Sequence, residues 1–375
     1  MRRGSTPWLG AITLGLLPLF GCDDAGSTDE VADAGPVAMD MSSADASEGA
    51  PDATLMVEDA GTDMALEPDM GEVAAPDMGP PPMRGWSTAA ELPGPRQETA
   101  VVALDGEIFV IGGFDGRLRI VGTVEAYDPV GDTWRAVADL PVALHHANAA
   151  VHDGKIYVLG FLGRGFAADG RGYVYDPAQD TWSPVAPMPD TEARGASGTV
   201  AIGDRIYVIG GLDGAQAVTL STAYDPTTDT WGPMADIPSP RDHMVATAVN
   251  GEVIVIGGRN TRIEAHTPQV DIYNPESDTW RTGSPAEVSR GGMMGAAIDN
   301  RVYVFGGEGN EGDATGVFAA TEVYDVEADS WETLAPMPAP RHGTGAAAID
   351  GRIIIPGGAD VQAFGAVDTV EIYTP

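Results

Sequence analysis

A short apolar run that ends in two glycines recurs along this chain and constrains its fold more than any other feature. The run reads EIFVIGG, RIYVIGG, EVIVIGG, RVYVFGG and RIIIPGG, with KIYVLGF as a sixth, altered copy. The first glycines follow one another at steps of 48, 50, 47, 49 and 51 residues, at Gly112, Gly160, Gly210, Gly257, Gly306 and Gly357. Such a period predicts a repeat architecture in which neighbouring units cover each other's apolar faces.

Each repeat contains the signals of four short strands. A two-residue turn such as Asp105-Gly106 or Asn250-Gly251 precedes every apolar run, as a tight hairpin requires. A tyrosine follows 13 to 17 residues after the second position of the glycine pair, and in five repeats a tryptophan follows seven residues later. Four antiparallel strands per repeat predict one blade of an all-β propeller, and six repeats predict six blades.

The double glycine, the tyrosine and the tryptophan make residues 84–375 resemble the kelch-repeat family of β-propellers. No tryptophan follows Tyr373, whereas Trp86 precedes the first complete repeat. We therefore predict that the segment around Trp86 supplies the outer strand of the blade that contains Tyr373. This closure would remove the unpaired strand edges of an open ring.

The N-terminal quarter has the composition of an exported protein with a linker. Residues 1–21 carry Arg2 and Arg3 before an apolar run, which indicates a signal peptide. The run ends in LFGC, which resembles the lipobox of bacterial lipoproteins and predicts lipidation of Cys22. The alternative is an ordinary secretory signal with an incidental cysteine. Residues 22–83 are rich in Asp, Ala, Pro and Met and lack basic and aromatic residues, so we predict a disordered acidic linker. The predicted location is the bacterial cell envelope.

Charge and cysteine content exclude several classes of function. The chain has 56 acidic and 20 basic residues and a net charge of −36, which disfavours nucleic acid as a partner and leaves the lipid anchor as the only predicted contact with a membrane. The single cysteine excludes an internal disulfide, and we expect a monomer. Residues 307–312, GEGNEG, are followed by a strand pattern instead of a helix, so they do not form a dinucleotide site. No cofactor and no metal site is predicted.

Sequence variation and a repeated arginine mark one face of the disc as the candidate binding surface. The segments between the glycine pair and the tyrosine vary in length, and variable loops on a fixed scaffold are a usual place for binding. Basic residues also recur 16 positions before the first glycine, where the second repeat has Leu144 followed by two histidines. The predicted ligand-binding residues are Arg96, Arg194, Arg241, Arg290, Arg341, His145 and His146. The alternative is that each arginine is paired within its own blade.

Two kinds of function remain open. The first, which we prefer, is a membrane-tethered, non-catalytic recognition module that binds a protein or glycan, including an anionic one, at the variable-loop face. The second is a carbohydrate-processing enzyme that resembles the periplasmic six-bladed kelch proteins of the sialic-acid mutarotase type. A buried carboxylate or histidine with a perturbed pKa at the channel mouth would favour the enzyme, and a shallow, open loop face would favour the module.

Overall fold

The computed structural model describes residues 84–375, and the predicted signal peptide, Cys22 and the acidic linker lie outside the described residues. Six four-stranded antiparallel sheets form the blades of a propeller, as the sequence predicts. The strands of blades one to three are Ala100–Leu104, Glu107–Ile111, Val124–Asp128, Thr133–Ala136; Ala149–His152, Lys155–Leu162, Ala168–Asp176, Thr181–Val185; Gly198–Ile202, Arg205–Ile209, Ser221–Asp225, Thr230–Pro233. Those of blades four to six are Val245–Val249, Glu252–Ile256, Val270–Asn274, Thr279–Gly283; Met294–Ile298, Arg301–Phe305, Thr321–Asp325, Ser330–Thr333; Ala347–Ile349, Arg352–Pro356, Val370–Thr374, Gly85–Thr88.

The sixth blade is closed by the two ends of the described chain. Gly85–Thr88 pairs antiparallel with Val370–Thr374, and Trp86 lies directly opposite Tyr373. The indole of Trp86 also contacts the ring of Phe305 in blade five, with ring centroids 5.4 Å apart. The prediction that Trp86 completes the last blade is therefore confirmed, and the strand contributes a partly buried aromatic side chain that stabilises the contact between two blades.

A repeated set of hydrogen bonds ties each of blades one to five to the blade before it. In blade two, the Tyr175 hydroxyl donates to Asp180, and the same carboxylate oxygen accepts the backbone N–H of Ala138. The indole of Trp182 then donates to the carbonyl of Ala138. Equivalent bonds recur in blades one, three, four and five. These tyrosines and tryptophans stabilise the blade interfaces, which explains why they recur once per repeat.

Blade two departs from the pattern on the variable-loop face. Its second and third strands extend beyond the altered glycine pair, and the 3-10 turn Arg164–Phe166 joins them. In blade one, Arg96–Gln97 pairs with Phe114–Asp115 in a two-residue ladder, which also lies beyond the glycine pair. Within residues 84–375 no helix has the length and apolar character needed to cross a membrane.

Candidate ligand-binding mouth of the propeller channel

The channel along the propeller axis is lined by the innermost strands, which carry small side chains at the axis. A cavity of about 160 Å³ is bordered by one such residue from each blade: Ala100, Ala149, Gly198, Ala246, Gly295 and Ala346. Small side chains leave space where the six strands approach each other. The residues just before these strands form the mouth of the channel on the variable-loop face.

Six backbone hydrogen bonds join the blades into a ring at this mouth. Each N–H donates to the carbonyl of the equivalent residue in the neighbouring blade, and the N···O distances are 2.5–3.1 Å. All six residues have a positive φ, between 52° and 67°, a backbone conformation that L side chains rarely adopt. The ring consists of Glu98, His146, Ala196, His243, Gly292 and Gly343. Because the backbone is held in place on both sides, the ring presents its side chains in a fixed arrangement.

Three ring side chains converge above the channel. Nε2 of His146 lies 3.1 Å from Oε2 of Glu98 and 2.9 Å from Nε2 of His243, and the distance from His243 Nε2 to Glu98 Oε2 is 4.0 Å. These residues line a cavity of about 150 Å³. A Cβ at Gly343 would lie 2.6 Å from Glu98 Oε1, so the glycine leaves the space that the carboxylate occupies.

A second layer of buried charged groups surrounds these three side chains. The Asp242 carboxylate accepts from Nδ1 of His243 at 2.5 Å, and Arg259 donates to Asp242 at 3.2 Å. Arg259 also forms an ion pair with Glu308, and Nδ1 of His342 lies 3.6 Å from Oε2 of Glu308. All of these side chains are nearly inaccessible to solvent. The mouth therefore has a rigid floor of ionic and hydrogen-bonded groups.

Burial and neighbouring charges perturb the titration of this cluster. Burial, together with the nearby His243 and His145, holds the pKa of His146 well below its ordinary range. Burial also lowers the pKa of His145, to about 4. For Asp242 burial favours the neutral form, but the hydrogen bond from His243 and the charge of Arg259 outweigh it and lower the pKa. Glu308 behaves in the same way, because attraction to His342 and Arg259 outweighs the effect of burial on its pKa.

Aromatic side chains cover one side of the mouth. His145 packs against Phe114 and Phe166, with ring centroids 4.3 and 4.8 Å away. The ring of Phe364 meets Phe114 edge-on at 5.8 Å. Phe166 and Phe364 remain 39% and 43% exposed, so they offer apolar surface beside the polar floor. The structure thus places both predicted histidines at the mouth, with His146 on the floor and His145 beneath the aromatic rim.

The five repeat arginines lie one layer further out, inside their own blades. Their exposed fractions are between 0% and 6%. The Arg194 guanidinium donates to the carbonyls of Val208 and Gly210 and to the Thr222 hydroxyl, and burial lowers its pKa to about 10. The other four pair with a carboxylate of the same blade, as Arg96–Glu125, Arg241–Asp271, Arg290–Glu322 and Arg341–Glu371.

These contacts match the structural alternative for the arginines. Each partner side chain stands two positions before the repeat tyrosine, on the third strand of the blade. Blade two, where Leu144 replaces the arginine, has Tyr173 at that position, so both members of the buried polar pair are replaced together. A guanidinium that is already bound within its blade offers few free donors to a ligand. Binding through the arginines stays a prediction.

The residues on the floor of the mouth come from several distant parts of the chain. No local sequence motif joins Glu98, His243 and His342, so none of them was predicted as a site residue. An alignment of the repeats provides the signal that finds them. Glu98, His146 and His243 all stand two positions after the repeat arginine or its leucine replacement, and His342 stands one position after it. The ring position varies among glutamate, histidine, alanine and glycine, while the position two residues before it is arginine in five of the six repeats.

Comparisons with known proteins agree with the architecture. The family model for the KLHDC2/KLHL20/DRC7 Kelch-repeats domain matches residues 200–374, and the Kelch motif matches residues 95–141 and 143–189. A Kelch-like protein, terF of Aspergillus terreus (strain NIH 2624 / FGSC A1156), is 37% identical over 70 residues, which are 18% of this chain and 15% of the length of that protein.

The solved structure of YjhT superposes with a TM-score of 0.65 at 14% identity, over 77% of this chain and 97% of that chain. At this identity the likeness shows the fold alone. The family models together account for nearly all of the six blades, and the repeated glycine, tyrosine and tryptophan contacts explain why the models match. This chain belongs to the kelch-repeat family.

Proposed function

We propose that this protein is an exported, lipid-anchored recognition module that binds a protein or glycan at the mouth of the propeller channel. The observation that carries the proposal is the distribution of exposed apolar side chains. Among residues 84–375, four of the five exposed large hydrophobic side chains lie in loops of the variable-loop face: Leu118, Phe166, Val361 and Phe364. Exposed apolar groups beside a polar depression are typical of interaction sites.

The shape and charge of the mouth support a polar ligand that offers hydrogen-bond donors. Phe166 also has φ near 60°, a conformation that phenylalanine rarely adopts. Its ring packs against the rings of His145 and His146. The floor contains three carboxylates, Glu98, Asp242 and Glu308, against one guanidinium, that of Arg259. Sugar hydroxyls and peptide N–H groups meet such acceptors, whereas an acidic ligand would need a further positive charge.

Binding is tested with a glycan array and with pull-downs that use the purified protein. We expect Phe166→Ala and Phe364→Ala to weaken binding of any captured ligand at least about tenfold, as loss of an interface anchor does. Val130→Ala is the matched control, because Val130 is 88% exposed but lies in a turn on the opposite face. Equal binding by all three variants would show that the recognition surface lies elsewhere.

The second candidate function is a carbohydrate-processing enzyme, and the buried ionisable floor favours it. His145 and His146, whose pKa values are lowered by burial, lie at the channel mouth close to the buried Glu98 carboxylate and satisfy the criterion of perturbed imidazoles at this place. Magnetisation-exchange NMR on acidic and neutral reducing sugars measures whether the protein accelerates interconversion of their anomers. Acceleration that Glu98→Gln removes would establish the enzyme, and exchange at the uncatalysed rate would leave the recognition module.

The proposed anchor rests on the sequence of residues 19–22. We expect Cys22 to be the first residue of the mature protein and to carry a diacylglycerol and a further acyl chain, which together give stable attachment. Mass spectrometry of the protein isolated from its native membrane measures this directly. An unmodified thiol, or cleavage at another bond, would contradict the lipoprotein assignment.

A further inference from the structure

The three converging side chains of the mouth all present hydrogen-bond acceptors. Nε2 of His145 lies 2.9 Å from the carbonyl oxygen of Gly163, and a carbonyl only accepts, so this nitrogen carries the proton. In the neutral imidazole, Nδ1 of His145 then accepts. The proton between the two Nδ1 atoms, which are 2.5 Å apart, therefore belongs to His146. Nε2 of His146 is left with a lone pair that faces the cavity.

The same accounting applies to His243. Its Nδ1 donates to the Asp242 carboxylate, which accepts only, so in the neutral imidazole Nε2 is the acceptor. Nε2 of His146, Nε2 of His243 and Oε2 of Glu98 thus meet as three acceptors. The hydrogen bonds of residues 84–375 bring one donor to them, Arg259 at 3.2 Å from His243. Acceptors 2.9–3.1 Å apart repel each other unless a proton or a metal cation lies between them.

The geometry of the three atoms fits a small cation. The three atoms are close enough together to surround one small ion, whose bonds to imidazole and carboxylate are ~2.0–2.2 Å long in zinc sites. Two imidazoles and one carboxylate are a ligand set that suits Zn²⁺ and related divalent ions. Asp242 behind His243 and His145 behind His146 are the kind of outer hydrogen-bond partners that orient metal-bound histidines.

An independent observation comes from His342 on the far side of Glu98. Its Nε2 donates to the carbonyl of Val361 at 3.0 Å. Its Nδ1 is fully buried, has no hydrogen-bond partner, and faces Glu98 Oε1 at 4.0 Å and Glu308 Oε2 at 3.6 Å. Both oxygens of Glu98 therefore face imidazole nitrogens, and one of these nitrogens is an unpartnered buried polar atom beside the site.

The charges of the floor lead to the same conclusion. The floor holds three buried carboxylates, those of Glu98, Asp242 and Glu308, and one guanidinium, that of Arg259. Buried charges are usually paired or coordinate a metal. A divalent cation at the position that the three acceptors surround would add the positive charge that this set of carboxylates favours.

We propose that Glu98, His146 and His243 bind one divalent transition-metal ion of the zinc class at the mouth of the channel. Three protein ligands leave a coordination position open toward the cavity of about 150 Å³, where a group of the bound ligand has access to the ion. The metal site does not depend on the proposed function, because it is defined by side chains of this chain alone.

The test uses the full-length protein without a histidine tag, first treated with a chelator and then titrated with ZnCl₂ by isothermal calorimetry. We expect one tight site per chain, and Zn²⁺ raises the melting temperature because the unfolded chain lacks the assembled ligands. His146→Ala and His243→Ala should each weaken Zn²⁺ binding at least about a hundredfold, more than loss of an outer-shell partner does. His266→Ala is the matched control, since His266 belongs to the same face but bonds Ser289.

Spectroscopy of the unmodified protein keeps the test independent of how the variants fold. Co²⁺ in a site with two imidazoles and a carboxylate gives visible d–d absorption, and added Zn²⁺ should abolish it by displacement. Absence of stoichiometric uptake of both ions by the unmodified protein would overturn the proposal. Uptake that is unchanged in both ligand variants, or lost equally in His266→Ala, would overturn it as well.

Discussion

Two neighbouring positions of the repeat, only two residues apart, behave in opposite ways. The first is the arginine position, which five of six blades fill with Arg and which lies buried within the blade. The second is the ring position, which holds Glu98, His146, Ala196, His243, Gly292 or Gly343 and faces the channel. The side chain that repeats has its partners in its own blade. The side chain that varies meets side chains from other blades.

This difference shows how function is added to a repeated scaffold. Each blade must solve the same packing problem, so groups that solve it recur in every repeat. A site on the axis is shared by six blades and needs only one copy of each functional side chain, so the six ring positions carry different residues. Glycine at two ring positions provides space, while glutamate and histidine at three others provide chemistry. In this propeller, repetition marks the scaffold and its interruption marks the site.

The largest expected effect comes from removing the strand that closes the ring. Deletion of residues 84–90 removes the outer strand of blade six and the Trp86 side chain, and it weakens the support for the hydrogen bond between Glu98 and Gly343. We expect the unfolding free energy to fall by more than the ~3–5 kcal/mol that is typical of a buried Trp→Ala substitution. Thermal and urea unfolding measure this, and an unchanged melting temperature would show that blade six is stable without its fourth strand.

Replacement of two repeat arginines tests their assignment to the scaffold. Arg241→Ala with Arg290→Ala leaves the buried carboxylates of Asp271 and Glu322 without their guanidinium partners, and loss of one member of such a pair costs about 3–5 kcal/mol. We expect a large fall in the unfolding free energy from urea titrations, whereas the exposed Arg262→Ala stays within about 0.5 kcal/mol. Intact stability together with lost ligand binding would instead assign the arginines to recognition.

A smaller effect is expected at the ring glycines. Gly343→Ala places a Cβ 2.6 Å from Glu98 Oε1 on a backbone with φ of 67°, so the carboxylate must move and the backbone is strained. We expect a loss of about 1–3 kcal/mol in unfolding free energy and weaker Zn²⁺ binding. Ala196→Gly is the opposite change, at a ring position with φ of 54°, and it should stabilise the protein by up to about 1 kcal/mol. A destabilised Ala196→Gly variant would contradict this account of the ring.

The smallest effect concerns the repeated tyrosine and aspartate contacts between blades. The N–H of Ser284 and the Tyr324 hydroxyl lower the pKa of Asp329 below its ordinary value. Because the folded pKa is the lower one, the ionised carboxylate stabilises the protein above about pH 4 and this contribution is lost as the pH falls through the folded pKa. Asp329→Asn should therefore make the unfolding free energy fall less steeply as the pH decreases. We expect the difference to be less than ~1 kcal/mol, because the carboxylate lies near the solvent-exposed surface. Parallel profiles for the two proteins would show that Asp329 does not contribute.

The fold could be predicted from the sequence because its determinants are local and repeated. The turn before each apolar run and the fixed spacing from Tyr127 to Trp134 define strands within one repeat, and six copies of the pattern remove the ambiguity of any single one. Closure of the ring followed from Trp86 and Tyr373, because a missing tryptophan at one end matched an extra one at the other.

Only part of the candidate site could be predicted from the sequence. His145 and His146 were visible because two adjacent histidines replace the usual pattern of the repeat. Glu98 and His243 lie 145 residues apart, and only their shared repeat position, two residues after the arginine, relates them. The arginines attracted attention as free charges, yet their partners on the third strand, such as Glu125 and Glu371, could be identified only when the blade was assembled.

The sequence by itself determined the number of blades, the order of their strands and the face on which loops vary, because hairpins and blade packing depend on residues that are close in the chain. Tertiary structure alone decided which side chains meet at the axis. Closure of six blades brings one residue of each repeat into a hydrogen-bonded ring, and this places Glu98, His146 and His243 within hydrogen-bond or metal-ligand distance of one another. Charges that are separate along the chain become one buried cluster, because the channel excludes water where the blades converge.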